Sequence, residues 1–429
     1  MTAPDIPAAI DAVWRIESPK IVGTLMRITR DLNIAEDLAQ DALLAALQQW
    51  PESGIPDNPG AWLTAAAKNR AIDHFRRNQR LDRKHQEMGY DLQFAQARSA
   101  LDLEAALDNP IEDDLLRLIF IACHPVLPVD ARLALTLRLL GGLQTTEIAR
   151  ALLASEPAIA QRIVRAKRTL AEQQIPFEIP RGAELTSRIS SVLAVIYLIF
   201  NEGYSATAGA DWLRPALCEE ALRLGRVLAE LMPSEPEVHG LVALMEIQSS
   251  RSRARVSPAG EPILLADQNR AQWDQLLIRR GLAALARAQK LSGPTGPYLL
   301  QAAIAACHAR AHSLDQTDWP KIVQLYSELA SLSPSPIIEL NRAVAVSMAS
   351  GPQAALEIVD SLVGEPSLAS FHLLPSVRGD LLFKLGRFAE AQPEFERAAS
   401  LTQNEPERKL LLDRAKACVT SARNDADRN

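Results

Sequence analysis

Apolar residues recur every three or four positions along most of the chain, which is the spacing of one face of an α-helix. Two clear examples are Ile159, Ile163, Ala166 and Leu170, and Leu63, Ala67, Ala71 and Phe75. No stretch alternates valine, isoleucine and threonine as a half-buried strand does. The pattern therefore predicts an all-α fold of helices packed on helices.

Clusters of proline and glycine divide this helical pattern into blocks. The stretch WPESGIPDNPG, Trp50 to Gly60, predicts a loop. Within it Asn58-Pro59 predicts a helix start, because asparagine caps free N–H groups and proline at the first helical position loses no hydrogen bond. Pro176 and Pro180 end a second block. We expect domains at residues 1–85, 111–178, 179–330 and 331–429, with a linker at 86–110.

The last block contains a repeat. Small or large apolar residues recur about 36 positions apart, with Ala343, Ala355 and Val359 matched by Gly379, Ala391 and Phe395. Small residues suit the close approach of two helices, and the larger ones fill the space between them. The pattern resembles the tetratricopeptide repeat, although Gln403 stands where that repeat usually has proline. We therefore predict a TPR-like segment.

Composition narrows the classes of protein further. A chain of 429 residues with 48% hydrophobic but only 5% aromatic residues predicts two to four helical domains. The four cysteines lie about a hundred residues apart with no metal-ligand spacing, so we expect reduced, buried thiols and neither a metal site nor a cofactor. The N-terminus lacks a signal peptide pattern, and the apolar run Val192 to Phe200 is too short to span a bilayer. These features predict a cytoplasmic protein without a membrane partner.

The stretch TTEIARALLASEPAIAQRIVRAKRTL, Thr145 to Leu170, predicts two helices with a tight turn at residues 154–157, and Thr145 as a cap. With the apolar face turned inward, the second helix exposes Ala158, Gln161, Arg162, Arg165 and Arg168, and Lys167 adds to its charge. This layout is typical of the recognition helix of a helix-turn-helix, which reads base edges and grips phosphates. The alternative is a solvated basic surface helix.

A second basic face follows Pro59 in GAWLTAAAKNRAIDHFRRNQR. The predicted DNA-contacting residues are Trp62, Asn69, Arg70, Asp73, Arg76, Arg77 and Arg80. An exposed indole can stack on an unpaired base while guanidinium groups hold the backbone, which suits single-stranded DNA. The alternative is that Trp62 is buried against the neighbouring helix.

The helix before that loop, AEDLAQDALLAALQQW, has a different outer face. Leu38, Ala42, Ala45 and Ala46 face the core, which leaves Asp37, Gln40, Asp41, Leu44 and Gln48 outside. An exposed leucine framed by acids and amides is typical of a protein-docking face. The alternative is a solvated acidic face.

The order of these parts resembles the sigma-70 family of bacterial transcription initiation factors, specifically the small extracytoplasmic-function (ECF) type that has only regions 2 and 4. The resemblance implies that AEDLAQDALLAAL is region 2.2, which binds the clamp coiled coil of RNA polymerase core through Asp37, Gln40, Asp41 and Leu44. It assigns GAWLTAAAKNRAIDHFRR to regions 2.3 and 2.4, which melt and read the −10 element. EIARALLASEPAIAQRIVRAKRTL is similar to region 4.2, the reader of the −35 element. Leu153, Ala158 and Ala160 depart from common residues there and put contacts from those positions in doubt.

The rest of the chain, from VLAVIYLIFNEGYSA onward, resembles the large helical extension of one subgroup of these factors. Asn201, Glu202 and Tyr204 suggest either a small polar site or, as we expect, a structural role. We also expect the extension to gate access to promoter or polymerase by binding a regulatory protein or ligand.

Two rival functions remain. One is a helix-turn-helix regulator that binds operators without polymerase and carries a TPR-like partner-binding domain. The other is an enzyme, but the chain has no P-loop, HExxH motif or nucleophile elbow. The net charge of −6 fits a factor with small basic reading surfaces, because an acidic remainder repels free DNA.

Overall fold

The computed structural model describes residues 6–87, 111–152, 154–206, 208–209, 212–258 and 261–426. Within these ranges the fold is all-α, with one two-stranded ladder of two residues per strand. The chain divides into two compact units, residues 1–195 and 196–429. The predicted linker at 86–110 lies almost wholly outside the described residues.

The first unit contains seven helices in its described part and the start of an eighth. They are α1 (Ile6–Thr29), α2 (Leu32–Ser53), α3 (Pro59–Glu87), α4 (Ile111–Ala122), α5 (Val129–Leu139), α6 (Thr145–Ala151), α7 (Glu156–Glu172) and α8 (Gly182–Tyr204). The second unit continues with α9 (Pro215–Leu231), α10 (Pro236–Ser249), α11 (Gln275–Lys290), α12 (Pro297–Arg310), α13 (Trp319–Leu332), α14 (Pro336–Ser350), α15 (Pro352–Leu362), α16 (Leu373–Lys384), α17 (Phe388–Leu401) and α18 (Glu405–Ala426).

Side-chain caps start the helices that carry the predicted sites. Asn58 Oδ1 accepts a hydrogen bond from the Ala61 N–H at 3.0 Å, so α3 begins where the sequence predicts. The predicted loop from Trp50 to Gly60 is wrong at its start, because α2 continues through Pro51 to Ser53. Trp50 is 1% exposed, and its burial holds the last turn of α2 in place. Gly54, with φ of 82°, then ends the helix.

Helix α1 is the centre of the first unit. It contacts α2 and α3 on one side, and α4 and α5 on another. The approach of α1 to α4 is very close, since a Cβ at Gly23 would lie 2.9 Å from the Asp114 carbonyl oxygen. The two blocks that the sequence separates by a linker therefore pack together in one unit.

Helix α8 is anchored to α4 by polar contacts. Arg188 Nη2 donates to the Phe120 carbonyl at 2.9 Å, and Ser191 Oγ donates to the Cys123 carbonyl at 2.6 Å. Among the described helices, α8 alone is long and apolar enough to cross a membrane. A single helix of this kind is weak evidence for a span, because core helices pass the same test of length and composition; 44% of its apolar window is buried inside the protein.

Four helices of the second unit, α14 to α17, form two successive pairs. The repeated residues all lie in its core, with Ala343, Ala355, Val359, Ala391 and Phe395 each 0% exposed. A Cβ at Gly379 would lie 3.1 Å from the Phe395 ring, so a larger residue there would require the ring to shift.

A short parallel ladder joins the two ends of the second unit. Strand β1 (Ala208–Gly209) pairs with β2 (Gln403–Asn404). The Asn404 side chain donates to the Ala206 carbonyl at 3.1 Å.

All four cysteines are free thiols, and Cys123, Cys218 and Cys418 are buried. Burial raises the pKa of Cys123 to about 11 and that of Cys218 to about 12, so both stay protonated at neutral pH. The described residues contain no group of His, Cys, Asp and Glu that could hold a metal ion.

Candidate nucleic-acid interface

The predicted docking face lies on the outer side of α2. Asp37 and Asp41 are exposed, and Leu44 is 54% exposed. The opposite side of α2 is in the core, where Leu38, Ala42, Ala45 and Ala46 are at most 6% exposed. Because two carboxylates flank an exposed leucine, the face offers a complementary charge to a basic partner around an apolar contact.

Residues of the second block, 111–178, contact one edge of this face. Gln40 is half-buried, and together with Leu44 it lines a cleft of about 200 Å³. Arg138 of α5 and Gln144, just before α6, also line this cleft. The predicted docking face is thus partly covered in this arrangement of the unit.

The basic face of α3 has one aromatic residue at its start. Leu63, Ala67 and Ala71 point inward as predicted, at 1% exposure or less, and Phe75 packs against Ile28. Trp62 is half-buried rather than exposed, because its ring packs edge to face on Trp50 with centroids 5.4 Å apart. The arrangement thus agrees with the alternative in which Trp62 packs on the neighbouring helix, and its contact with DNA stays a prediction.

The polar residues of α3 differ in their exposure to solvent. Asn69, Asp73, Arg76 and Arg77 are exposed, whereas Arg70 is half-buried and its Nη1 donates to the Ala66 carbonyl at 3.4 Å. Arg80 belongs to α3, but its side chain lies outside the described residues. Two guanidinium groups are thus directly accessible to a phosphate backbone.

Helices α6 and α7 form the predicted helix-turn-helix. Ser155 Oγ caps α7 by accepting from the Ala158 N–H at 3.4 Å. Thr145 is the first helical residue of α6 rather than its cap, since the Glu147 carboxylate accepts from the Gln144 N–H at 2.7 Å. Leu153, in the turn, lies outside the described residues.

The outer face of α7 is basic and accessible. Gln161 and Arg165 are exposed, while Ala158 is half-buried. Arg162 lies 3.5 Å from Asp130, and Arg168 lies 2.6 Å from Glu172. Solvated pairs of this kind contribute at most about 1 kcal/mol, so either guanidinium can exchange its partner for a phosphate.

Lys167 does not lie on that face. Its ammonium forms an ion pair of 2.7 Å with Glu36 of α2, and the lysine side chain is 13% exposed. Arg138 Nε donates to the other carboxylate oxygen of Glu36 at 2.8 Å. Burial alone would raise the pKa of Glu36, but Lys167 and Arg138 outweigh it and hold that pKa below its ordinary value. In this arrangement Lys167 is held by Glu36, and its contact with DNA stays a prediction.

Two further ion pairs join the same blocks. Arg15 of α1 contacts Glu147 of α6 at 2.7 Å, and Arg27 of α1 contacts Asp114 of α4 at 2.8 Å. Asp114 is fully buried, and burial raises its pKa in spite of Arg27 and Arg117. One feature of the sequence could have indicated these contacts, because Glu36 is a charge on the apolar side of α2 and needs a partner.

Asn201, Glu202 and Tyr204 lie at the end of α8, in the second unit. Glu202 pairs with Arg214, and Arg255 stacks over the Tyr204 ring at 3.7 Å from its centroid. Arg251 also donates to the Tyr204 hydroxyl. Glu202 and Tyr204 therefore hold the extension together, as expected.

Comparison with known proteins agrees with these features. Residues 14–81 match the model of sigma-70 region 2, and residues 117–170 match that of sigma-70 region 4. Residues 188–289 match a family of unknown function, DUF6596. An uncharacterized protein of Rhizobium meliloti is 44% identical over 399 residues, which cover 93% of each chain. The chain belongs to the sigma-70 family of transcription initiation factors, as a member with regions 2 and 4 and a large C-terminal extension.

Proposed function

We propose that this protein is an ECF-type promoter-specificity subunit that acts in the cytoplasm by binding and carries out no catalysis. Family membership makes RNA polymerase core and promoter DNA its partners. The observation that carries the finer proposal is the separation of an acidic face on α2 from basic faces on α3 and α7 within one unit. The acidic face of α2 binds the polymerase, which carries out the catalysis, and the basic faces of α3 and α7 select the promoter DNA.

The acidic face of α2 binds the clamp coiled coil of the polymerase. Asp37 and Asp41 supply charge, and Leu44 supplies the apolar contact. Gln40 becomes fully available only when Arg138 and Gln144 move away from it. Docking on the polymerase therefore favours separation of the two blocks.

The basic faces read the two promoter elements. Arg76 and Arg77 of α3 contact the backbone at the −10 element, and Trp62 stacks on an unpaired base after it leaves Trp50. Gln161 and Arg165 of α7 enter the major groove at the −35 element. Lys167 joins the phosphate contacts once Glu36 releases it.

The test is transcription reconstituted from core polymerase and the purified protein, with transcript starts mapped across a promoter library. We expect Asp41→Arg to abolish binding to core while leaving the fold intact, since Asp41 is exposed. We expect Arg165→Ala to weaken use of the upstream element with normal binding to core. Glu172→Gln, at the exposed end of α7, is the matched control. Loss of core binding in Arg165→Ala alone contradicts this division.

The rival function is a regulator that binds operators without polymerase. It predicts tight, sequence-specific duplex binding by the isolated protein. The pairing of Lys167 with Glu36 favours the polymerase-dependent function, because one cation of α7 is withheld from DNA in the isolated chain. A duplex-binding assay without core polymerase decides between them.

We propose that the TPR-like extension gates access to polymerase or promoter by binding a regulatory partner. Two helix pairs with small residues at their contacts support a repeat of this kind. A truncation after Ser205 tests the gate and retains Arg188 and Ser191, which a cut before α8 would remove from the first unit. Unchanged transcription and unchanged response to inducing conditions would refute gating.

A further inference from the structure

The second unit contains a cavity of about 520 Å³, which lies within the size range of small-molecule sites. Helices α8, α10, α12, α13 and α14 contribute to its walls. Four rings line it, from Tyr197, Trp273, His308 and Tyr326, beside amides such as Gln248 and Gln301. Flat walls with a few polar groups are the usual build of a site for a ring-bearing ligand.

The lining of this cavity carries positive charge and no negative charge. Arg251 is the one lining residue that is charged at neutral pH, and no aspartate, glutamate or lysine lines the space. Burial, together with Arg251 and Arg270, lowers the pKa of His308 to about 4, so its imidazole is neutral. An anion in the cavity would meet a guanidinium with no competing carboxylate, whereas a cation would meet only repulsion.

Arg251 is held in position to receive such an anion. Its Nε donates to the Tyr204 hydroxyl at 3.2 Å, and its guanidinium lies 5.6 Å from the centre of the Trp273 ring. Its Nη1 makes no hydrogen bond within the described part of the chain. Nε and Nη2 thus both donate to the Tyr204 hydroxyl, and the two N–H groups of Nη1 remain for a ligand.

Two ring nitrogens of the lining residues are buried without a hydrogen-bond partner in the described structure, namely Trp273 Nε1 and His308 Nδ1. Trp273 is only 3% exposed. The indole nitrogen is always a donor, so it requires an acceptor that the protein does not supply. An anionic oxygen in the cavity would satisfy it.

We propose that this cavity binds a small organic anion, with a carboxylate at Arg251 and Trp273 and a planar ring between the walls of Tyr197 and Tyr326. The site lies wholly in the extension, so it does not depend on how the first unit reads DNA. Through this site the extension would bind a small molecule independently of the first unit.

The test is calorimetric titration of the full-length protein, without polymerase, with four probes. Benzoate, benzamide and benzamidine present the same ring with negative, zero and positive charge, and acetate presents the anion without the ring. We expect saturable binding of benzoate to one site, at least about tenfold tighter than that of benzamide. Acetate and benzamidine should give no saturable heat. Equal binding of the three ring compounds would overturn the proposal.

Substitutions locate the binding. Trp273→Phe keeps a ring and removes the N–H, and Arg251→Gln removes the charge; each should weaken benzoate about tenfold or more. Arg280→Gln, exposed on α11, is the matched control and should bind benzoate unchanged. Because Arg251 also contacts Tyr204, circular dichroism must show that Arg251→Gln is folded. If Arg251→Gln is not folded, the affinity of Trp273→Phe for benzoate decides the test. Wild-type affinity in Trp273→Phe, or no saturable benzoate binding at millimolar concentrations, would mean that the cavity holds water only and would refute the proposal.

Discussion

Glu36→Gln is the sharpest test of the contact between the two blocks of the first unit. The Glu36 carboxylate is 11% exposed and pairs with Lys167 and Arg138, whose side chains are 13% and 16% exposed. The amide keeps the size of the side chain and removes its charge. Both cations then remain beside α2 without their counter-charge, which disfavours the packed arrangement.

The size of the effect follows from the burial of the pair. Removing one partner of a fully buried ion pair costs about 3–5 kcal/mol, and the amide retains some hydrogen bonding, so we expect about 3 kcal/mol. At about 1.4 kcal/mol per factor of ten, the ratio of packed to separated blocks falls about a hundredfold. If α2 binds polymerase only when the blocks separate, the apparent Kd for core tightens by up to that factor.

The assay is titration of labelled core polymerase with wild-type and variant protein, with hydrogen exchange of the α7 amides measured in parallel. Glu172→Gln breaks the exposed pair with Arg168 and is the control, since it should change neither quantity by more than about 1 kcal/mol. Faster exchange in α7 with an unchanged Kd for core would show that separation is not linked to docking. Unchanged exchange and Kd would refute the role of Glu36 altogether.

Three further predictions concern pH and packing. Because the pKa of Glu36 is lowered in the folded protein, its contribution to stability is present above the ordinary value of 4.5 and is lost as the pH falls through the folded pKa. Acid should therefore lower the protection factors of the α7 amides, which correct for the intrinsic exchange rate at each pH, more in the wild type than in Glu36→Gln. The pKa of His308 is lowered from 6.5 to about 4, so between those values the unfolded chain binds a proton that the folded chain does not. Stability should therefore rise with pH across that window. In His308→Gln the urea midpoint should change less between pH 4 and pH 7 than it does in the wild type. A Cβ at Gly240 would lie 2.8 Å from the Leu299 backbone nitrogen, so Gly240→Ala should cost about 1–3 kcal/mol in urea unfolding, more than Gly379→Ala, where the neighbour is the Phe395 ring.

The fold class and the inward faces of α3 and α7 could be predicted because helical periodicity is local. Each of Ile159, Ile163, Ala166 and Leu170 recurs within one or two turns of the last, so the sequence alone identifies the buried face. The cap at Asn58 is equally local, since its partner is three residues away. Interactions of this range need no knowledge of the rest of the chain.

The contacts that could not be predicted join residues far apart in the sequence. Lys167 has the charge and the helical context of a DNA contact, and only the position of Glu36 on another helix removes it from the surface. Trp62 lacks full exposure because α2 runs on far enough to bring Trp50 beneath it. The cavity in the extension combines residues of five helices, and no motif in the sequence marks it.

The ladder between β1 and β2 has a consequence for synthesis on the ribosome. The bond from Asn404 to Ala206 joins residues 198 positions apart, so the extension cannot close until its last helices have emerged. At about 5–20 residues per second, translation of that interval takes roughly 10–40 s. During that time the nascent chain carries a complete amino-terminal unit and an unfinished carboxyl-terminal one, which gives chaperones and polymerase a period in which to compete for it.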